Sequence, residues 1–341
     1  MTFRCSSLLL LFSADVYSSD DVIAIEGLHV FSLGEAGSSF FNEETESSHF
    51  TPIWFYPTDA PIESVPILNA NESLIYTTSV NGIMRALATN LQNGTDLVWS
   101  FGPEDMKSIL EFPEHNPGMK FTVGSHFIHS NPVLSPAGDK IYFVGYSSFL
   151  VCLDADNGQL LWVSSKFTDL GSLNTFASPV LSEAGDLVYL GTDKGFGAYN
   201  ASTGAVVWKE TFSKSFQTYR IMTAAVYTSK ATNDAVVFFG RDDWYLYAYN
   251  AHTGERVGRF KADDRIRSTP ILHPSEPILF VGGNDRQFRS VRFNASSKML
   301  DTSALEAPSG LGIFPGKSEL DVEYEWTILT NGELLTTPVI R

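Results

Sequence analysis

One stretch of the sequence, residues 131–162, contains four short apolar runs separated by turn residues. The runs cover residues 132–134, 141–145, 149–153 and 159–162. Ser, Gly, Asp and Asn cluster between the runs, and these residue types favour tight turns. Apolar runs this short, alternating with turns, predict a four-stranded antiparallel meander.

The same pattern recurs along the chain. Residues 178–208 match it almost position by position, residues 223–257 match it again, and residues 65–99 and 269–295 are looser copies. A single four-stranded sheet has two apolar faces, which stacking against copies of itself would cover. The recurrence therefore predicts an all-β fold, a β-propeller with four-stranded antiparallel blades, as a single domain over residues 15–341.

The two ends of the repeat array are complementary. Strands predicted at 22–25, 29–32 and 51–56 have no first strand before them, and a lone strand at 335–341 has nothing after it. Counting the strands predicts six blades, in which the C-terminal strand completes the N-terminal blade and removes open sheet edges. A fragment of a seven- or eight-bladed chain is the alternative.

The last eleven residues of the repeat, 152–162, recur at 198–208 and at 248–258, where Gly258 replaces the final Trp. This segment resembles the tryptophan-docking motif of the quinoprotein alcohol dehydrogenases, the PQQ-like propeller superfamily, over about residues 22–341. The resemblance implies that Trp99, Trp162 and Trp208 pack as structural docking residues. That superfamily includes quinone-dependent dehydrogenases, and also assembly lipoproteins and sensor domains that bind no cofactor.

Charge and targeting signals restrict the setting. A net charge of −16 disfavours nucleic acid and anionic membranes as partners. A short apolar run with one preceding Arg predicts a secretory signal peptide over residues 1–14, and no stretch reaches the ~20 apolar residues of a membrane span. Four sequons at predicted turns would accept glycans and favour a secreted or lumenal protein. Their asparagines are Asn71, Asn93, Asn200 and Asn294.

Two patterns that suggest metal binding have simpler explanations. Asp-Ala-Asp-Asn-Gly at 154–158 begins like a calcium loop, but Asn200 and Asn250 stand at the position of Asp154 in the other copies. We therefore expect the Asx side chain to bond its own turn, with Gly supplying a positive φ. His126 and His129 would lie on opposite faces of a strand, so the sequence predicts no metal site there or at His115 in the same loop.

Charged residues after the second strand of several repeats are predicted to meet at the mouth of the central channel. Converging charges there favour a small-ligand or peptide site, although opposite charges could instead pair with one another. The candidates are Asp193, Lys194, Arg241, Asp242, Trp244, Asp285 and Arg286. Longer loops at 40–50, 102–130 and 296–323 offer further binding surface. The middle loop is predicted to link neighbouring blades, and the other two to link third and fourth strands.

These features favour a non-catalytic binding or scaffold propeller, a monomeric fold unit that works with a protein partner and needs no cofactor. The first alternative is an enzyme, a PQQ-dependent dehydrogenase acting on alcohols or sugars, which requires bound calcium, an Asp base and a stacking site. The pair of adjacent cysteines used by such dehydrogenases is missing, because Cys5 and Cys152 are the only cysteines. The second alternative is a carbohydrate-binding propeller, which would expose Trp244 or Tyr146 beside carboxylates.

Overall fold

A computed structural model describes a large part of the 341-residue chain. For residues 7–13, 28–33, 51–55 and 322–329 it describes the backbone alone. Backbone and side chains are described for residues 56–89, 97–105, 130–145, 149–164, 177–193, 195–212, 219–230, 233–293. The chain divides into two compact units, Met1–Ser165 and Lys166–Arg341, and each is described by itself.

Unit 1 contains three antiparallel sheets within its described residues. The first consists of β1 (Ser7–Ser13), β2 (Leu28–Leu33) and β3 (Thr51–Thr58). The second consists of β4 (Ile67–Leu68), β5 (Leu74–Ser79), β6 (Ile83–Ala88) and β7 (Leu97–Phe101). The third consists of β8 (Val133–Leu134), β9 (Lys140–Gly145), β10 (Phe149–Asp154) and β11 (Leu160–Val163).

Unit 2 contains three four-stranded sheets within its described residues. The fourth sheet of the chain consists of β12 (Val180–Leu181), β13 (Leu187–Gly191), β14 (Gly195–Asn200) and β15 (Val206–Thr211). The fifth consists of β16 (Ala225–Thr228), β17 (Ala235–Gly240), β18 (Tyr245–Asn250) and β19 (Arg256–Lys261). The sixth consists of β20 (Ile271–Leu272), β21 (Ile278–Gly282), β22 (Gln287–Phe293) and β23 (Val322–Leu329).

Each four-stranded sheet is a meander in which strands adjacent in sequence are hydrogen-bonded neighbours. This repeated unit confirms the predicted all-β propeller fold class. The count of six blades and the single domain over 15–341 stay predictions, and the expected closing strand at 335–341 lies outside the described residues. Among the residues that the structure describes, no helix has the length and apolar character needed to cross a membrane.

The burial of each strand follows from its place in the sheet. In β9 and β10 nearly every residue is buried, because neighbouring strands and sheets cover both faces. Their sequences are accordingly continuous apolar runs rather than alternating ones. The outer strand β7 is instead only partly buried, with Leu97 and Val98 exposed and Trp99 and Phe101 buried.

The first sheet differs from the prediction. β1 lies between β2 and β3 and pairs with both, although we expected the strand at 29–32 to pair directly with the one at 51–56. β2 and β3 are therefore not neighbours, and the loop predicted at 40–50 lies outside the described residues. The apolar run Leu8–Phe12 is compatible with a strand and with a leader, because the periodicity of apolar residues does not distinguish them. The predicted leader over 1–14 stays a prediction, and the strand expected at 22–25 lies outside the described residues.

A β-bulge recurs in the fourth strand of every four-stranded sheet. A small residue of the third strand pairs with the docking position, and the register then shifts so that the residue before that position is left unpaired. The pairs are Ala86–Trp99, Cys152–Trp162, Ala198–Trp208, Ala248–Gly258 and Ser290–Trp326. Trp326 therefore occupies a docking register that the sequence reading missed.

Asx turns close the third and fourth strands, as the sequence predicted. The Asp154 carboxylate accepts hydrogen bonds from the backbone N–H groups of Asp156 and Asn157, at 3.0 and 3.1 Å. Asn200 and Asn250 hold their own turns in the same way. Gly158, Gly204 and Gly254 end these turns at φ of 72°, 68° and 71°. This confirms the structural explanation of the calcium-like motif.

Aromatic rings fill the core between the fourth and fifth sheets. Phe196 of β14 stacks on Phe239 of β17 with ring centroids 4.1 Å apart. Trp208 of β15 stacks on Tyr249 of β18 at 6.1 Å. A second cluster between the fifth and sixth sheets includes Phe238 and Phe293. These contacts fix neighbouring sheets of unit 2 against each other and so position the reversals between their second and third strands.

Candidate functional site

The three predicted docking tryptophans are buried. The indole N–H of Trp99 donates to the carbonyl oxygen of Ala155 at 3.0 Å, and that of Trp208 donates to Ala251 at 2.9 Å. In both cases the acceptor lies in the Asx turn of the following sheet. The ring of Trp162 lies 5.8 Å from the ring of Tyr142. These side chains therefore stabilise the fold. The predicted binding residues lie instead on the reversals between second and third strands.

The reversal at 241–244 connects β17 to β18 and carries three of the predicted candidates. Arg241 is 3% exposed, and its Nη1 donates to Asp243 Oδ2 at 2.5 Å. The hydroxyl of Tyr247 also donates to Asp243 Oδ2, at 2.8 Å. Burial, followed by the charge of Asp243, raises the pKa of the Tyr247 phenol. Asp243 thus receives two charge-assisted bonds from buried partners.

Asp242 faces a different partner. Arg267 donates to it through Nε and Nη2, at 2.8 and 2.9 Å, in the bidentate geometry typical of arginine–carboxylate pairs. The backbone N–H of Ile266 donates to the carbonyl of Arg241 at 3.3 Å, and that of Asn284 donates to Arg265 at 2.8 Å. The segment 265–267 therefore bridges the reversals of the fifth and sixth sheets.

The reversal at 283–286 connects β21 to β22. Both oxygens of Asp285 accept from Arg289, and both side chains of this pair are 4% exposed. Asp285 also accepts from the backbone N–H groups of Gln287 and Asp263. Arg286 is exposed and has a φ of 63°. The predicted carboxylate here serves the fold of the turn.

Trp244 combines exposure with an unusual backbone. Its φ is 77°, in the left-handed region that favours glycine, and its side chain is 43% exposed. Gly82 occupies the same turn position in the second sheet, with a φ of 87°. The Trp244 N–H donates to the Arg241 carbonyl at 3.2 Å, and its own carbonyl accepts from Ala262 at 2.8 Å. Lys261 Nζ lies 5.9 Å from the centroid of the indole ring.

The remaining predicted residues lie elsewhere or outside the described residues. Asp193 follows β13 in the fourth sheet, half-buried, and the next residue, Lys194, is not described. Asn71 is exposed in the turn between β4 and β5, where its Oδ1 accepts from Ser73. Asn200 is half-buried at the end of β14. The other two sequons, at Asn93 and Asn294, lie outside the described residues, as do His115, His126 and His129.

The structure therefore gathers Arg241, Asp242 and Trp244 on one reversal and Asp285 and Arg286 on its neighbour. It adds residues that the sequence did not indicate, and these are Phe212, Tyr219, Tyr247, Arg267 and Arg289. Period-2 spacing from Asp243 through Tyr245 to Tyr247 was a usable signal. The pairing of Asp242 with Arg267, 25 residues away, had no local signal.

The described residues do not fit a quinone with calcium. The oxygens of Asp242 and Asp285 already accept from arginines, so they are not placed as calcium ligands or as a base. Cys152 is buried, and burial raises the pKa of its thiol to about 12. No group of three or more His, Cys, Asp or Glu side chains placed to hold a metal occurs in the part of the chain that the structure describes.

Comparisons with known proteins agree with the repeat pattern. A family model described as outer membrane protein assembly factor BamB matches residues 119–281. The chain is 28% identical over 134 residues to the outer membrane protein assembly factor BamB of Francisella tularensis subsp. tularensis. That match covers 39% of this chain and 25% of the relative, so it spans about a quarter of the relative's length.

Two solved structures are similar to the chain. The crystal structure of BamB from Moraxella catarrhalis has a TM-score of 0.45 and 14% identity, covering 85% of this chain and 83% of that one. The C-terminal WD40 domain of Sif2 has a TM-score of 0.49 and 12% identity, covering 71% of this chain and 59% of that one.

Proposed function

We propose, since the chain belongs to the PQQ-like β-propeller superfamily, that it is a non-catalytic binding propeller that docks a protein partner. The name of its relative, an outer membrane protein assembly factor, supports a role in holding other proteins. Fold alone does not assign an activity, and the reversals of unit 2 carry the side chains that support this one. The partner is expected to contact the reversal at 241–244.

The observation that carries the proposal is the conformation of Trp244. A non-glycine residue in the left-handed region costs roughly 1–3 kcal/mol, and such strain clusters at functional sites. The strained residue here is a large aromatic that is 43% exposed, and tryptophan is enriched among the residues that dominate protein interfaces. A glycine at this position would suit the turn better, so the turn alone does not explain the indole, and its exposure favours binding.

The pairing of the neighbouring charges supports binding over oxidoreductase chemistry. A general base must reach the proton that it removes, whereas Asp242, Asp243 and Asp285 each face an arginine. The carbohydrate alternative is only half supported, because Trp244 is exposed but the carboxylate next to it, Asp243, faces Arg241 and Tyr247. Tyr146 lies outside the described residues.

We further propose that the protein works in the secretory pathway or outside the cell. The exposed sequon at Asn71 supports this setting. The leader predicted at 1–14 does not add to this support, because β1 (Ser7–Ser13) is the middle strand of the first sheet. The relative's name, outer membrane protein assembly factor, is compatible with a non-cytoplasmic site. Enzymatic removal of N-glycans from protein purified from its own cells should increase its gel mobility. Unchanged mobility would count against this setting.

The docking proposal can be tested by exchanging Trp244 for glycine. Immobilised wild-type protein and the Trp244→Gly variant are incubated with an extract of the source cells, and the retained proteins are compared by mass spectrometry. Arg286→Gly is the matched control, because it relieves the same left-handed turn position on the neighbouring reversal. We expect a protein retained by the wild type and by Arg286→Gly to be lost with Trp244→Gly. A set of retained proteins identical for all three would contradict the proposal.

The oxidoreductase alternative is tested by melting the purified protein with and without PQQ and calcium, beside its visible absorption spectrum. A ligand at 100 times its Kd adds about 2.7 kcal/mol of stability, which a melt detects readily. We expect no shift and no chromophore. A clear shift, with oxidation of alcohols or sugars, would replace the binding proposal with the enzymatic one.

A further inference from the structure

The guanidinium group of Arg241 is the least satisfied polar group on the reversals of unit 2. Its side chain is 4% exposed, yet only Nη1 has a hydrogen-bond partner, Asp243. Nε and Nη2 are buried without one, and no other arginine among the described residues has such atoms. A buried charged group left partly unpaired costs more than a neutral one.

Other arginines among the described residues show what is missing. Arg289 uses Nη1 and Nη2 on Asp285, and Arg85 uses Nη1 on Ser79 and Nη2 on Asp59. Arg267 presents Nε and Nη2 side by side to the two oxygens of Asp242. Arg241 has the same Nε–Nη2 edge, but nothing accepts from it.

Aromatic rings fix the orientation of that edge. The guanidinium carbon of Arg241 lies 4.4 Å from the ring centroid of Phe212 and 5.1 Å from that of Tyr219. Phe212 itself packs on Phe239 and Tyr247. Contacts of this kind hold the group in place by cation–π attraction and leave only its rim for hydrogen bonds.

We infer that the Nε–Nη2 edge of Arg241 binds a carboxylate group. Two parallel N–H donors match the two oxygens of a carboxylate, as the pair of Arg267 with Asp242 illustrates in the same unit. Tyr247 also donates a hydrogen bond to the Asp243 carboxylate. Asp243 therefore neutralises only part of the positive charge of Arg241, and the remainder attracts a second anion. A single negative charge suits a site that already contains Asp243 better than a dianionic phosphate does.

This inference rests on the proposed function, because it names the chemistry by which a partner would be recognised. The carboxylate would come from a peptide, at its C-terminus or from an acidic side chain, or from a small free acid. Since the Arg241 edge is buried, its neighbours must move to admit the ligand. Binding should therefore stabilise the protein by pairing a group that is unpaired without the ligand.

The test measures the thermal stability of the whole chain with four probes at equal ionic strength. The probes are acetate, phosphate, N-acetyl-diglycine with a free carboxyl group and its C-terminal amide. We expect stabilisation by the acid peptide and none by the amide; acetate adding as much stability would identify a small acid as sufficient. No response to either carboxylate, or an equal response to phosphate, would overturn the inference.

Three variants connect the response to the Arg241 edge. Arg241→Lys keeps the positive charge but loses the two parallel N–H donors, so we expect carboxylate affinity to fall about tenfold or more. Arg292→Lys is the control, because Arg292 pairs with Glu276 and lies outside the reversals, and it should respond like the wild type. Asp243→Asn removes the competing charge and keeps an acceptor for Nη1, so it should bind carboxylates more tightly. Unchanged stabilisation of Arg241→Lys by the carboxylates would refute the site. If Arg241→Lys does not fold, unchanged stabilisation of Asp243→Asn would refute it.

Failure of this inference and failure of the proposed function are read from different assays. A missing carboxylate response removes the Arg241 site, whereas the docking function is lost only when the partner capture does not depend on Trp244. Tighter carboxylate binding by Asp243→Asn would support the site without any knowledge of the partner.

Discussion

The indole N–H of Trp208 donates to the carbonyl oxygen of Ala251, 2.9 Å away and 43 residues later in the chain. The acceptor belongs to the turn that Asn250 holds with its own side chain. The outer strand of one sheet is thus bonded to the tip of the next. Trp99 and Ala155 repeat the relationship at 3.0 Å. The same repeat residues therefore form the turn inside one sheet and the contact between two.

Replacing Trp208 with alanine should destabilise the protein by roughly 3–5 kcal/mol, because it empties a large buried site between two sheets. The free energy of unfolding in denaturant measures this loss. Val207→Ala is the matched control, since Val207 is the bulged neighbour and is 48% exposed. Its effect should be about 0.5 kcal/mol or less. Similar losses for the two variants would show that Trp208 does not join the sheets.

Glycine is required at the turn tip for two separable reasons. Gly254 and Gly138 have φ of 71° and 75°, but a Cβ on Gly254 would lie 2.5 Å from the Trp208 ring, whereas one on Gly138 would meet nothing within 4 Å. Gly138→Ala should therefore cost only the left-handed penalty of about 1–2 kcal/mol. Gly254→Ala should cost roughly a further 1–3 kcal/mol from the overlap. Chemical denaturation of both variants separates the conformational penalty from the steric overlap. Equal losses of stability would mean that the Trp208 ring moves aside at no cost in free energy.

The features predicted well from the sequence are those that recur at fixed offsets. Asx turns and docking tryptophans repeat with the unit, so one copy explains the others. Trp326 was missed because a long segment separates β22 from β23 and hides the offset. The partners of the site residues were also hidden. Arg267 reaches Asp242 because the segment between β19 and β20 lies against the reversal, and no local pattern in the sequence encodes such a contact.

The first sheet shows a second limit of sequence reading. An apolar run such as Leu8–Phe12 fits a strand or a leader equally well, because periodicity alone does not separate them. The strand pairs with β2 and β3, and no local pattern in the sequence indicates these partners. The repeat pattern that guided the rest of the chain does not extend to this segment.

The buried pair of Asp285 with Arg289 should be far more important for stability than the exposed pair of Arg292 with Glu276. Both side chains are 4% exposed, so Arg289→Ala leaves a buried carboxylate without its counter-ion. We expect a loss of about 3–5 kcal/mol. Arg292→Ala is the matched control, because Arg292 lies on the same strand and pairs with Glu276 at 37% and 49% exposure. Its loss should be about 0–1 kcal/mol.

A double-mutant cycle separates the pairing itself from other effects of these truncations. The coupling between Asp285→Ala and Arg289→Ala, taken from the unfolding free energies of the single and double variants, should exceed that between Glu276→Ala and Arg292→Ala. Equal coupling at the two pairs would contradict the importance assigned to burial.

Alkaline pH should destabilise the protein through its buried tyrosines. Burial raises the pKa of Tyr76 to about 12, with smaller contributions from Asp156 and Asp154. Burial likewise raises the pKa of Tyr142, Tyr189, Tyr199, Tyr247 and Tyr249. Below pH ~10 both the folded and the unfolded chain keep these protons, so stability does not depend on them. Above pH ~10 the unfolded chain releases protons that the folded chain retains, and stability falls as pH rises.

Near-ultraviolet absorbance and circular dichroism, followed together through an alkaline titration, test this mechanism. We expect the phenolate signal of the buried tyrosines to appear only as the fold is lost. Tyr76→Phe is the sharpest variant, because it removes one ionisable phenol together with its 3.1 Å hydrogen bond to Ala155. It should lower stability at neutral pH by about 1 kcal/mol and flatten the fall between pH ~10 and 12. Phenolate formation by every tyrosine while the fold persists would show that burial does not raise these pKa values.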